Sequence, residues 1–118
     1  MKPSEAGKWV YQHLSVPGVT AIVGDKIYPY VTGEPKVVPW IVYDGIVLDY
    51  GQTKDSNEAE TLTATVTCAA SSYDDAMRLA DAVYDALNDV DDCIVVRVQG
   101  EYTEDVGHLE ELEIQVTL

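Results

Sequence analysis

The chain has 118 residues, of which 47% are hydrophobic, and this predicts a single domain (residues 1–118) with a modest core that needs neither disulfides nor a metal. Twenty-one acidic residues against seven basic ones give a net charge of −14, which repels a phosphate backbone and excludes direct nucleic-acid binding as an expected function. Cys68 and Cys93 lack CxxC spacing and have apolar neighbours, so both are expected to be small buried side chains.

The first third of the chain predicts one clear helix followed by short segments. The helix is expected to begin at Pro3 and to end near Leu14, because apolar residues recur along one of its sides. Residues 19–23 are expected to form an apolar turn or a short second helix. A short extended segment follows, and the glycine and proline residues after it predict an irregular surface segment at residues 30–38.

Residues 40–48 are rich in β-branched and aromatic side chains and predict a strand. Within it, Asp44-Gly45 is compatible either with a two-residue hairpin turn or with a bulge in one bent strand. We favour the bulge, because a turn there would leave a first strand of only about four residues. The polar residues that follow, 49–60, predict a long loop or a protruding arm.

The clearest pattern lies between residues 61 and 89. Apolar and threonine residues alternate over residues 61–68, which is typical of a strand with one buried face. A helix is predicted from Ser72 to Asn88, because apolar residues recur there at a period of 3.6 and acidic residues occupy the opposite side. Ser71 or Ser72 would cap its first turn.

The last third predicts two strands joined by a second polar loop. Residues 94–98 and 112–118 alternate between apolar and polar side chains, and residues 100–108 are expected to connect them as the loop of an antiparallel hairpin. The order of elements predicts an α+β fold, a mainly antiparallel sheet with the amino-terminal and central helices packed on one face.

No catalytic, cofactor or metal site is predicted. His13 and His108 lack a Cys or acidic partner at ligand spacing, and Ser72 suits a helix cap better than a nucleophile. Neither acidic segment has the Gly and Glu positions of a calcium loop. The first residues lack a signal-peptide core and no stretch predicts a membrane span, so we expect the protein in the cytoplasm or in a particle assembled there.

Several short motifs, taken in order, resemble the tail-completion or tail-terminator proteins of long-tailed bacteriophages. The resemblance covers roughly residues 10–118 and rests on IVGDKIYP at 22–29, VPWIVY at 38–43, a threonine-rich strand, SYDDA at 72–76 and LADAVYDAL at 79–87. It implies a non-enzymatic virion protein of a phage or prophage without cofactors. Such subunits are expected to form a hexameric ring that caps the tail tube at its head-proximal end, stops tube growth and joins the tail to the head completion or neck protein.

The resemblance also implies candidate surfaces. If the open face of the sheet lines the channel through which DNA passes, the residues facing the lumen are Thr63, Thr65 and Thr67, or Glu111, Glu113 and Gln115. The alternative is that the loops line the lumen. The two polar loops are candidates for binding the tube and the neck, through Asp49, Tyr50, Lys54, Asp55, Glu58, Glu101, Tyr102, Glu104 and Asp105. The alternative function is a small acidic protein-binding module or DNA mimic, which the net charge also supports.

Overall fold

The structure is a computed structural model that describes residues 1–30, 37–51 and 60–118. Three helices and five strands are present in these ranges: α1 (Pro3–Leu14), α2 (Pro17–Val23), β1 (Ile27–Pro29), β2 (Trp40–Asp49), β3 (Thr61–Ala70), α3 (Tyr73–Asn88), β4 (Cys93–Thr103) and β5 (Gly107–Thr117). The strands form one sheet in the order β1-β2-β3-β5-β4. Only the β1–β2 pair is parallel, so the predicted α+β fold with a mainly antiparallel sheet is confirmed.

The helices cover one face of the sheet and enclose the core there. Along β3 and β5, the cross-strand pairs Leu62–Val116, Ala64–Ile114 and Val66–Leu112 all lie on this covered face. Helix α3 packs its apolar side onto these strands, while α1 packs onto β2 and α3. The buried side chains of the two helices are Ala6, Val10, Leu14, Ala76, Leu79, Ala80, Val83 and Leu87. The predicted amphipathic sides are therefore the ones that the fold buries.

Helix α3 begins where the sequence predicts. The Ser72 side chain accepts a hydrogen bond of 3.2 Å from the backbone N–H of Asp75. The serine has extended backbone angles and so precedes the first helical turn, and Asp74 and Asp75 place negative charge beside the positive end of the helix dipole. The interpretation of Ser72 as a helix cap is confirmed.

Strand β2 is continuous and bent at Gly45, as the bulge interpretation predicts. Its register with β3 shifts between Asp44 and Val47, and Gly45 has a φ of +59°, in the left-handed region that glycine adopts without strain. A two-residue hairpin turn at Asp44-Gly45 is therefore wrong. Residues 17–23 form a helix, which was the second of the two alternatives for that segment.

The predicted second polar loop at residues 100–108 is wrong, because most of it is strand. Strand β4 continues to Thr103 and β5 begins at Gly107, so only residues 104–106 form the turn. The pairs Ala69–Leu109 and Ala70–His108 with β3 hold the start of β5 in the sheet. Alternation is hard to recognise here because a bulge between Val95 and Arg97 reverses its phase, and because β4 is largely exposed.

Candidate assembly surfaces

The six residues predicted for the lumen lie side by side on one face. β3 and β5 are neighbours, and their register pairs Thr63 with Gln115, Thr65 with Glu113, and Thr67 with Glu111. This is the face opposite the helices, which we call the open face. The structure therefore brings these six residues together, although sequence patterning alone did not show that their two strands are adjacent.

Residues that are paired across neighbouring strands form rows that cross the sheet. Two rows of the open face extend onto β2 and β4 and contain charged side chains. Asp44 of β2 continues the row of Thr65 and Glu113, which ends at Arg97 of β4. The next row adds Glu111 and ends at Gln99, whose side-chain oxygen accepts a hydrogen bond of 2.5 Å from Arg97. These rows hold three carboxylates and one guanidinium. A shallow depression of only ≈ 50 Å³ lies between the two rows, and it is far smaller than a typical ligand pocket.

The first polar loop leaves the sheet at one end, and two of its predicted binding residues have structural contacts. The Asp49 side chain accepts a 3.0 Å hydrogen bond from the backbone N–H of Gly51. The Tyr50 hydroxyl donates a 2.8 Å hydrogen bond to the Met1 carbonyl oxygen. Lys54, Asp55 and Glu58 lie outside the described residues.

The β4–β5 turn leaves the sheet at the opposite end. Glu101 and Tyr102 belong to β4, whereas Glu104 and Asp105 lie in the turn itself, which is closed by a 3.3 Å hydrogen bond from the Val106 N–H to the Thr103 hydroxyl. Next to the turn, the His108 ring contacts Tyr102 and Tyr73, at centroid distances of 5.0 and 6.1 Å. Both tyrosines are exposed. This aromatic cluster joins residues far apart in sequence, so only the strand register reveals it.

A buried carboxyl lies beside this cluster. Glu110 is 8% exposed and is paired with Cys68 on the covered face. Its carboxyl lies over Gly100, where an added Cβ would come within 2.7 Å of Oε1. Burial raises the pKa of Glu110 above its usual value, and the nearby His108 partly offsets that rise. Cys68 is fully buried, which confirms its assignment to the core, and this burial raises the pKa of its thiol.

We expect Glu110→Gln to stabilise the protein at neutral pH and to have no such effect in acid. Because the pKa of Glu110 is higher in the folded than in the unfolded protein, the fold favours the protonated form. The contribution to stability is complete below the ordinary pKa of 4.5 and is lost as the pH rises through the raised value. Urea unfolding at pH 7 and at pH 4 measures the difference.

The matched control for this prediction is Glu111→Gln, which removes the same charge from the open face of the same strand. In a protein of net charge −14, any lost carboxylate relieves some repulsion. The interpretation of Glu110 is contradicted if both variants change the pH dependence of the unfolding free energy equally.

An apolar groove lies at the other side of the sheet, between α1, β1 and β2. Its volume is ≈ 510 Å³, and its lining residues are Pro3, Ser4, Gly7, Pro29, Tyr30, Tyr43, Ile46, Leu48 and Tyr50. Sequence reasoning missed the groove because it is formed by three elements that come together only in the fold. Tyrosine-rich apolar concavities are typical of protein-binding surfaces.

The remaining candidates for chemistry have structural partners. The His13 ring stacks on Trp9 at 4.0 Å, and its Nδ1 lies 2.7 Å from the Trp9 carbonyl oxygen. Across residues 1–30, 37–51 and 60–118, no group of three His, Cys, Asp or Glu side chains is placed to hold a metal ion. None of the helices in these ranges is long and apolar enough to cross a membrane.

Comparisons with known proteins confirm the family resemblance of the sequence. The model of the family described as tail completion protein gp17 matches residues 8–116. The fold is similar to a chain of the virion of a native gene transfer agent particle, with a TM-score of 0.70 and 20% identity over 92% of this chain and 90% of that chain. Comparison with curated protein sequences yields no significant match. Because the family model spans nearly the whole chain, the protein belongs to the tail completion protein gp17 family.

Proposed function

We propose that this protein is a ring-forming subunit that caps the phage tail tube at its head-proximal end and joins the tail to the head. Membership of the tail completion family supports a structural role in tail assembly. The similarity to a chain of a gene transfer agent virion supports a fold suited to such particles. We also assign a hexameric ring to this protein, with the tube protein and the head completion or neck protein as its two partners.

One observation carries the proposal: the two candidate docking elements lie at opposite ends of the sheet. The pair Asp49–Thr61 marks the end at which the 50–60 segment leaves β2. The pair Thr103–Gly107 marks the end at which β4 turns into β5. A subunit that joins tube to neck must present different contacts on its two sides, and this arrangement provides them.

The open face suits the wall of a channel for DNA. Its central rows hold the carboxylates of Asp44, Glu111 and Glu113. The one cation in these rows is the Arg97 guanidinium, so their net charge is negative. Negative charge repels phosphates, so DNA in such a channel would find no adhesive patch. The strongly negative net charge of the whole chain acts in the same direction.

Deletion of residues 51–59 is the test of this function. We expect the deletion variant to fold and to form rings, because Asp49 and Thr61 are directly paired and the remaining Tyr50 and Glu60 match the length of the shortest common hairpin loop. We expect it not to join tails to heads. A phage that lacks its own copy of the gene is complemented with the wild-type or the deletion variant, and particles are counted by plaque assay and electron microscopy.

Two controls make the result interpretable. Circular dichroism of the purified variant shows whether it is folded, and replacement of residues 52–59 by a glycine and serine segment of equal length separates loop chemistry from loop length. Infectious particles at the wild-type level from the deletion variant would overturn the docking role of this segment. Normal particles from the phage without the gene would overturn the proposed function itself.

A further inference from the structure

Within residues 1–30, 37–51 and 60–118, each edge of the sheet has strand backbone without an outer partner. β4 is the outermost strand on one side, and over the described residues nothing pairs with its outer edge. On the other side, β1 pairs only with Ile41, Val42 and Tyr43 of β2. The second half of β2, from Asp44 to Asp49, therefore also has no described strand on its outer side.

The exposed edge of β4 is long and apolar. Ile94, Val96 and Val98 are 55%, 46% and 52% exposed. The strand contains neither proline nor lysine, which often protect edge strands from pairing with other chains, and its charged side chains are Arg97 and Glu101. An edge of this length and composition is typical of a strand that pairs with a partner.

These two edges, which lack an outer partner among the described residues, are level with each other at two rows of the sheet. Asp44 and Arg97 end the same row of the sheet, and Val47 and Ile94 end another. Between these rows, each edge strand has a bulge, so two residues separate Asp44 from Val47 and two separate Ile94 from Arg97. A bulge normally disrupts pairing at an edge, but bulges at the same level in both edges keep their registers aligned.

We propose that a second copy of this chain is the partner, and that β4 of one subunit pairs with the second half of β2 in the next. Three antiparallel steps separate β2 from β4, so the two strands run in opposite directions and the new pair is antiparallel. Arg97 then lies opposite Asp44 of the neighbour, and Ile94 lies opposite its Val47. One contact is an ion pair and the other buries two exposed aliphatic side chains.

The position of β1 on the neighbour determines where this pairing ends. Val98 is level with Tyr43, at which point β1 already occupies the neighbour's edge. Beyond Arg97, β4 must therefore leave the neighbour's sheet. The apolar groove beside Tyr43, ≈ 510 Å³ in volume, offers a surface for Val98 there. Hydrophobic contacts thus flank the ion pair on both sides.

The contact joins unlike surfaces of identical subunits. Such head-to-tail interfaces either close into rings or extend as filaments. The inference rests on the proposed function for its choice of a closed ring. In such a ring the sheets continue from subunit to subunit, with the open faces on one side of the wall and the helices on the other.

Charge exchange tests the interface. Arg97→Glu alone and Asp44→Arg alone place like charges opposite each other, and we expect each to weaken association about tenfold or more. Mixing the two variants restores opposite charges at every contact of an alternating ring, and so does the double variant. Association is followed by analytical ultracentrifugation, and function by the complementation assay. Asp85→Lys, on the exposed side of α3 and away from both sheet edges, is the control for general charge effects.

A cysteine pair measures the same contact directly. Ile94→Cys combined with Val47→Cys places two thiols opposite each other only between subunits, because within one chain these strands lie roughly 14 Å apart. We expect a ladder of disulfide-linked subunits on a non-reducing gel, from purified protein or from complemented particles. Cys93 and Cys68 are buried on the covered face and do not interfere.

The outcomes separate the interface from the proposed function. The interface is overturned if both single charge variants associate as strongly as the wild type, or if mixing them does not restore association. It is also overturned if the disulfide ladder is absent both in solution and in particles. The proposed function is then still decided by the complementation assay. If the ladder and the charge rescue are seen in solution but the phage that lacks the gene still forms normal particles, the interface is supported and the proposed function is overturned.

Discussion

We expect Leu79→Ala to lower the free energy of unfolding by about 2–5 kcal/mol, the range for large buried side chains reduced to alanine. Leu79 is fully buried in the middle of α3, where the helix packs onto β3 and β5. Truncation removes the apolar contacts and leaves a cavity, because neither the helix nor the sheet can close over it. Urea unfolding followed by circular dichroism measures the loss.

Leu118→Ala is the matched control, since it makes the same chemical change at a side chain that is 41% exposed. We expect a loss well below that of Leu79→Ala, because much of the Leu118 side chain is already in water. Equal losses at the two positions would contradict the assignment of the α3 contact with the sheet as the centre of the core.

Gly107→Ala is expected to cost about 2 kcal/mol or more in the free energy of unfolding. Gly107 has a φ of +108°, which a residue with a Cβ adopts only with strain. An added Cβ would also lie 2.8 Å from the carbonyl oxygen of Ala70. That oxygen belongs to backbone at the junction of β3 and α3, so it cannot turn aside as a flexible side chain would.

Gly18→Ala provides the opposite case within the same chain. Gly18 lies in α2, and a Cβ there would meet nothing within 4 Å. We expect this variant to be unchanged or more stable by up to about 1 kcal/mol, because alanine loses less backbone entropy than glycine in a helix. A Gly107→Ala variant as stable as Gly18→Ala would show that the turn adopts another conformation.

Much of the fold could be predicted from the sequence because it depends on local periodicity. The alternation on β3 and the 3.6-residue period of α3 identify their buried sides without knowledge of any neighbour. The Ser72 cap and the Gly45 bulge are also local, since each depends on the backbone preference of one or two residues. The family resemblance rests on such short motifs in order.

The functional surfaces depend on strand order, which no local pattern contains. Periodicity shows that Arg97 and Asp44 are on strands, but only the order β1-β2-β3-β5-β4 places them at opposite edges of one sheet. The same order unites Thr65 with Glu113 on the open face and turns the predicted second loop into paired strands. Contacts between residues far apart in the chain form because the covered face must be buried as a whole. The sequence by itself therefore determined the buried sides of β3 and α3, and the tertiary structure decided which exposed side chains are neighbours.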